Sequence, residues 1–406
     1  MATSGDFKND LIVRGGSPSE NLFLLDSVRV PGLSLFGSQN SSGGFFGLLN
    51  QNLIKDIDFY TGGFPAYYGD KLSSVTRIGL REGDRTRLSG RLNLSLLGPT
   101  GTIEGPLPGG AGSWIVSGRK DYLGVIPSSL TQGLMAVPDV ADAQTKIIVD
   151  LSSRLQLSLL GLGAALKAIL GPSGIACLTL SRTRSLYDYA ETRGSKGRLE
   201  IYDKRYHNYP LDPTNPYLTL ANQGGNLVPT FFGSRLVGAG TGYARGVEVS
   251  IRQAPSGKLS WLVDYSYAVV KFKALDGVLR NGDFDFRHIL NAVATYRLSG
   301  TFEVSVKWRY LGGQPYTPFD MSLTTAKNSA YFDMTRINEL RYPAYHRLDI
   351  RFEKRFIFKV WSLDVYLDVQ NVYNRKNVYY NYWDDGMERT VYLLPILPFF
   401  GLQAGF

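Results

Sequence analysis

The densest grouping of reactive side chains is Asp283-Phe-Asp285 followed by Arg287-His288, which sets two carboxylates, a guanidinium and an imidazole close together. Acid–base chemistry needs such groups within hydrogen-bond reach of a reacting atom, and covalent chemistry adds a nucleophile beside its base. No nucleophile is positioned by sequence here, and the 35 acidic residues are scattered, so no carboxylate pair for glycoside hydrolysis stands out. The chain reads as a non-enzyme with no catalytic residues. Its one cysteine, Cys177, excludes an intramolecular disulfide and a cysteine-based metal cluster, and three scattered histidines offer no metal site. Neither a metal nor another cofactor is expected. The net charge of +9 contains no run of five or more Lys or Arg, which speaks against a nucleic-acid surface.

The elements that would position any binding residues are strands. The 406 residues are 44% hydrophobic, as in an ordinary soluble protein, yet 25 Tyr, 21 Phe and 45 Gly favour pleated surfaces and turns. The stretch 155–180 is long and apolar enough for a membrane helix. Gly161, Gly163, Gly171, Pro172 and Gly174 interrupt it, and Leu155, Leu157 and Leu159 alternate with Gln156 and Ser158 as in a strand.

From Arg347 to Phe356, Leu348, Ile350, Phe352 and Phe356 share one face, while Arg347, Asp349, Arg351, Glu353 and Arg355 share the other. Trp361, Leu363, Val365, Leu367 and Val369 repeat the pattern, as do Phe302, Val304, Val306, Trp308 and Tyr310 opposite Glu303, Lys307 and Arg309. Segments 246–252 and 258–267 largely follow it. A soluble β-sandwich also alternates. Runs of about 10 residues match the 9 to 11 needed to cross a bilayer at a tilt. Tyr373, Tyr379, Tyr380, Tyr382 and Trp383 gather near strand ends as an interfacial girdle would. Short turns at 252–258 and 297–301 alternate with long segments at 271–286 and 312–342, and the chain ends on Phe406. These features predict an all-β membrane protein, an antiparallel transmembrane β-barrel of roughly 14 to 16 strands. Tyr316, Tyr331, Tyr380 and Trp383 in the long segments are candidate ligand-binding residues by stacking, with an outer girdle as the alternative.

Four stretches in order resemble the TonB-dependent receptors of Gram-negative outer membranes, in a Bacteroidetes-like branch. They are Leu11-Ile-Val-Arg-Gly-Gly through Leu25-Asp26, where Ser27 replaces the family's glycine; Ile54 to Gly69 with the following Leu72-Ser-Ser-Val-Thr76; Ala244-Arg-Gly-Val-Glu248; and Leu363 to Asn374, ending Asn371-Val-Tyr-Asn374. The resemblance implies a partial N-terminal plug in the lumen over residues 1–85 and a barrel over 86–406. The full family's barrel has about 22 strands. It also implies a start upstream of Leu11 with a TonB-binding box, neither of which is seen, so a shortened receptor is the expectation. Arg14, Gly15, Gly16, Asp26, Gly62, Gly63 and Gly69 carry the plug motif. Arg14 is a ligand-contact candidate, with a salt bridge to a lumen carboxylate as the competing role, and Asp26 reads as the terminus of a plug strand.

By the same resemblance the protein imports a scarce nutrient, such as a siderophore, cobalamin, an oligosaccharide or a peptide, by energy-coupled plug movement. Its partners would be TonB, outer-membrane lipid, the barrel assembly machinery and a small ligand, with the chain a monomer. A passive or structural pore is one alternative and a soluble carbohydrate-binding β-protein another.

Overall fold

The computed structural model describes residues 2–3, 11–14, 18–26, 28–30, 32–35, 46–47, 49–61, 68, 73–95, 98–121, 140–152, 155–166, 173–181, 195–211, 213–219, 221–222, 237–253 and 257–406. Strands dominate, because alternating sequences can hide one face while exposing the other.

A small sheet comes first in the chain. Its strands are β1 (Asn21–Leu25), β2 (Val28–Val30), β3 (Ile54–Tyr60) and β4 (Ser74–Leu80), in the order β2-β1-β4-β3. The β1–β4 pair is parallel and the others are antiparallel. A large sheet follows: β5 (Ser89–Ser95), β6 (Gly98–Pro106), β7 (Gly112–Asp121), β8 (Val140–Ser152), β9 (Leu155–Leu166), β10 (Ser173–Ser181) and β11 (Ser195–Leu211). It continues through β12 (Val237–Gln253), β13 (Leu259–Lys273), β14 (His288–Ser299), β15 (Phe302–Leu311), β16 (Tyr345–Ile357) and β17 (Ser362–Gln370). A hairpin of β18 (Val378–Asp384) and β19 (Met387–Tyr392) stands apart before the last strand, β20 (Leu397–Gly405).

The main path of the large sheet holds 14 strands among the described residues, each antiparallel to its neighbour. Strands that follow one another in this sheet pair, except β10 with β11, and the first strand meets the last: Gly401 lies opposite Ser95 and Gly405 opposite Arg91. Gly90 and Phe406 extend this seam by exchanging backbone hydrogen bonds of 3.1 and 3.2 Å. The path begins at β10 and ends at β11, which are consecutive in the chain. This is the up-and-down order of a barrel.

The burial pattern inverts that of a soluble protein. Arg347 is 7% exposed and Asp349 9%, whereas Phe352 is 38% and Phe400 63% exposed. Charged positions thus line the lumen, and the apolar face is turned to the surroundings, as hydrocarbon requires. Within the apolar stretch at 155–180, Leu155–Leu166 and Ser173–Ser181 are paired strands rather than a helix, with Leu160 opposite Cys177 and Gly161 opposite Ala176. Among the described residues no helix is long and apolar enough to cross a membrane, and the α-helix described, α1 (Met321–Lys327), lies in a loop.

Candidate functional site

The small sheet and the residues before it are lodged against two parts of the barrel wall. On one side Leu25, Leu53, Ile78 and Leu80 pack with Ile115 of β7 and Leu160 of β9 in one buried cluster. Lys146 of β8 adds a polar anchor: its Nζ is 2.7 Å from Asp26 Oδ2 and donates to the Leu80 carbonyl at 2.8 Å. Arg81 pairs with Glu104 of β6, and the Asn50 N–H donates to Gln144 Oε1 at 3.1 Å. Against β11 and β12, Arg14 Nε is 3.2 Å from Glu248 Oε2 of β12, and Tyr209 of β11 donates to Glu20 at 3.4 Å.

Arg14 and Asp26 therefore both sit where the plug meets the wall. Arg14, at φ +52°, also reaches Thr61 Oγ1 at 3.3 Å, so its guanidinium is held by a lumen carboxylate. Asp26, at φ +47°, caps the end of β1; its Oδ1 accepts the Leu80 N–H at 2.8 Å. Gly15, Gly16, Gly62, Gly63 and Gly69 lie outside the described residues.

The wall from β14 to β17 carries a ladder of charges. Arg309 stands opposite Arg347 and Glu303 opposite Glu353, which would repel. Three of the four have an opposite charge beside them, Arg347 with Asp349 at 2.7 Å, Glu353 with Arg351 at 2.6 Å and Glu303 with Arg297 at 2.7 Å, while Arg309 donates to the Tyr345 hydroxyl at 3.0 Å; Arg355 pairs with Asp364 at 2.6 Å. Lys307 stands opposite Asp349 and is exposed to the lumen.

Above the lumen, loops 312–344 and 371–396 form an aromatic mouth. Tyr316 stacks on Tyr342 with ring centres 4.2 Å apart and planes 13° apart. Phe319 stacks on Phe332 at 5.0 Å and meets the edge of Trp383 on β18 at 6.3 Å. The Asn381 N–H donates to the Tyr342 hydroxyl at 3.4 Å, so the hairpin and the loop are joined. Tyr380 lies edge-on to Tyr379 at 5.2 Å, and Tyr331 lies under the Lys327 ammonium at 5.1 Å. Tyr316 and Trp383 thus belong to two different ring groups of this mouth, Tyr316 with Tyr342 and Trp383 with Phe319, and Tyr380 and Tyr331 have other neighbours again. Tyr379, Tyr380, Tyr382 and Trp383 belong to the hairpin, not to a girdle; of the five aromatics expected there, only Tyr373 joins outward rings, meeting His346 at 5.5 Å. The reason is that β18 pairs with β19 and not with the barrel.

Beneath the mouth, Phe286, Arg309, Leu311, Tyr342, Tyr345 and Tyr379 line a cleft of about 30 Å³, with the Arg309 guanidinium 5.5 Å from the centre of the Tyr345 ring. At the opposite end, a cavity of about 590 Å³ is lined by Arg81 and by the barrel residues Arg87, Arg91, Glu104, Trp361 and Phe406.

The residues that shape the mouth were only partly visible in the sequence. Asp285, fully buried, accepts the Val270 N–H at 3.0 Å and pairs with Arg341 at 2.6 Å and Arg287 at 3.1 Å. Burial raises its carboxyl above the ordinary aspartate value despite both arginines. Its neighbour Asp283 accepts from Asn338 Nδ2 at 2.7 Å. The pair that hinted at acid–base chemistry is therefore a clamp between loops. Asn371, at φ +51°, bonds Asp349, Arg375 and Leu394 at 2.9 to 3.0 Å, closing the base of loop 371–396. Burial pushes the Tyr342 hydroxyl up to about 12. Among the described residues no group of three or more His, Cys, Asp or Glu could hold a metal ion.

No protein-family model and no curated protein matches the chain. Solved structures do. The outer membrane transporter YddB from Escherichia coli aligns with a TM-score of 0.61 at 8% identity, covering 100% of this chain and 93% of that one. The outer-membrane ferripyoverdine receptor of Pseudomonas aeruginosa, bound to ferripyoverdine, gives 0.55 at 10%, covering 99% and 82%. A mutant ferric enterobactin receptor from Pseudomonas aeruginosa gives 0.52 at 10%, covering 100% and 93%. The chain has the fold of a plugged outer-membrane β-barrel, that of the TonB-dependent receptors its four motifs resemble.

Proposed function

We propose that the protein is an outer-membrane receptor that takes a scarce small nutrient at its aromatic mouth and releases it to the periplasm when TonB displaces the plug. Residues 1–85 act as the plug and 86–406 as the barrel. The observation that carries this reading is how the plug is held. Lys146 with Asp26, Arg81 with Glu104 and Arg14 with Glu248 are ion pairs bridging plug and wall, beside two small apolar clusters, one around Leu25, Ile78 and Ile115 and one in which Ile12 meets Phe286, Ile289 and Leu311. Polar contacts that water can replace suit a part that must shift and return. A passive pore has no need of them.

Tyr316 and Trp383 present ring faces and edges at the entrance, and Arg14 serves as a plug anchor first and a ligand contact second. The ligand-bound relatives are iron-siderophore receptors, so a ferric chelate is the first ligand to try, followed by cobalamin, oligosaccharides and peptides. No reaction is assigned to the chain, and outer-membrane lipid and the barrel assembly machinery are its remaining partners. The test is uptake by Gram-negative cells producing the protein, with and without TonB. Uptake abolished by TonB removal, and weakened about tenfold by Tyr316→Ala with Trp383→Ala, is the expected result. Uptake indifferent to TonB would instead identify a pore.

A further inference from the structure

One cluster of charges takes no part in holding the plug or the loops. In the upper part of β11, β12 and β13, Tyr206, Ala244, Ala268, Val270 and Phe272 are packed together inside the barrel. The alternate positions must face outward, and they include Arg205, Tyr243, Arg245, Lys271 and Lys273. Pairing makes them neighbours. Tyr243 stands opposite both Arg205 and Lys271, Arg245 opposite Asp203, and Thr241 opposite Lys273.

The Arg245 guanidinium lies 4.3 Å from the centre of the Tyr243 ring. Asp203 is shared, 3.6 Å from Arg245 and 3.6 Å from Arg205, whose side chains remain 55% and 70% exposed. Four cations against this one carboxylate leave three positive charges in excess. Such a surplus on an otherwise apolar outer wall lacks any role in packing.

Its depth is informative. Outward rings mark the edge of the hydrocarbon on this side: Tyr267 lies 5.0 Å from His288, Tyr310 stacks on His346 at 6.4 Å, and His346 adjoins Tyr373. Along β13 the next outward positions past Tyr267 are Val269, level with Arg245, then Lys271, then Lys273. At about 3.4 Å per residue and a tilt of about 45°, these rungs lie roughly 5, 10 and 14 Å beyond the girdle. That is the level of lipid headgroups and just above it.

We infer that this face seats the phosphate groups of the glycolipid that forms the outer leaflet, with Arg205, Arg245, Lys271 and Lys273 as its cations. The inference rests on the outer-membrane reading above, because only the orientation with the long loops outside puts the patch in that leaflet. Charge-assisted bonds from guanidinium and ammonium groups to phosphate oxygens supply the contact, and Tyr243 fixes the direction of Arg245.

The test uses the full chain in nonionic detergent with bis-phosphorylated lipid A as the probe, read by native mass spectrometry. The unaltered protein retains lipid A. The variant Arg245→Gln/Lys271→Gln/Lys273→Gln binds it on the order of 100-fold more weakly, since each cation near an anionic headgroup contributes about fivefold. A control, Lys258→Gln/Lys359→Gln at the opposite rim, binds as before. Equal binding by the triple variant, or equal binding of dephosphorylated lipid A, overturns the inference. So does inorganic phosphate that displaces the lipid at millimolar concentration with the same residue dependence, which would mark a free-anion site. Heat-modifiable migration of every variant confirms folding. Its absence from the unaltered protein would bring down the outer-membrane reading itself, an outcome separate from weak lipid binding.

Discussion

Replacing Lys146 by Met tests whether the plug is held by ion pairs. The Lys146 side chain is 8% exposed and Asp26 19%, with 2.7 Å between Nζ and Oδ2. Removing the ammonium strands a carboxylate at a site built for a cation, which costs about 3 to 5 kcal/mol for a buried pair. Asp26 keeps the Leu80 N–H at 2.8 Å, so the lower end, about 3 kcal/mol, is the better figure. That is on the order of a 100-fold rise in the population of loosened plug. The partner change Asp26→Asn, which suits the positive φ and keeps the Leu80 bond, should recover about 2 kcal/mol of this loss in the double variant. The assay is urea titration of a fluorophore placed by Lys55→Cys on the exposed side of β3, with Cys177→Ser to make the label unique. A coupling energy below about 0.5 kcal/mol between the two positions would refute the reasoning, leaving the apolar clusters around Ile78 and Ile115 and around Ile12 and Leu311 to hold this part of the plug.

Three further outcomes follow from particular contacts. Asp285→Asn should weaken the clamp among loops 274–287 and 312–344 by about 2 to 3 kcal/mol, since Arg341 and Arg287 lose their shared carboxylate; limited proteolysis within 312–344 should accelerate while barrel melting stays put. Gly112, at φ +147°, would drive a Cβ into the Ile148 carbonyl, so Gly112→Ala should cut the yield of folded barrel severalfold on heat-modifiability gels, whereas Gly101→Ala, with open space, should not. The Asp84 carboxyl, held to about 2 by the Thr86 hydroxyl and by the N–H groups of Thr86 and Arg87, gives its turn support that is complete above about pH 4 and lost as pH falls through about 2; a carbon-13 titration with a midpoint near 4 would contradict it.

Much of this architecture is legible in the sequence because the membrane imposes a two-residue period that no average reveals. Hydropathy of the whole chain looks soluble since every Leu348 or Ile350 facing lipid is matched by an Arg347 or Asp349 facing water. The period itself identifies the faces, and Phe406 pairs through Gly90 where a closing strand should. Loop chemistry does not follow from a period. Asp285 and Arg341 are far apart in the chain and meet only because β13, β14 and β15 bring their loops to one rim, so the sequence shows two ordinary charges where the structure has a clamp. The same limit explains the aromatics: Tyr380 and Trp383 look like girdle residues beside a strand end, and only the pairing of β18 with β19 moves them into the mouth. Asn371 shows the converse. Its motif was visible, but its role was not, because a positive φ and bonds to both ends of a 26-residue loop (371–396) are facts of backbone geometry that residue type merely permits. The proposed import therefore depends most on the residues that sequence reading ranked as structural. Anchors such as Lys146 and Arg14 set how easily the plug moves, while Asn371 and Asp285 hold open the mouth that feeds it.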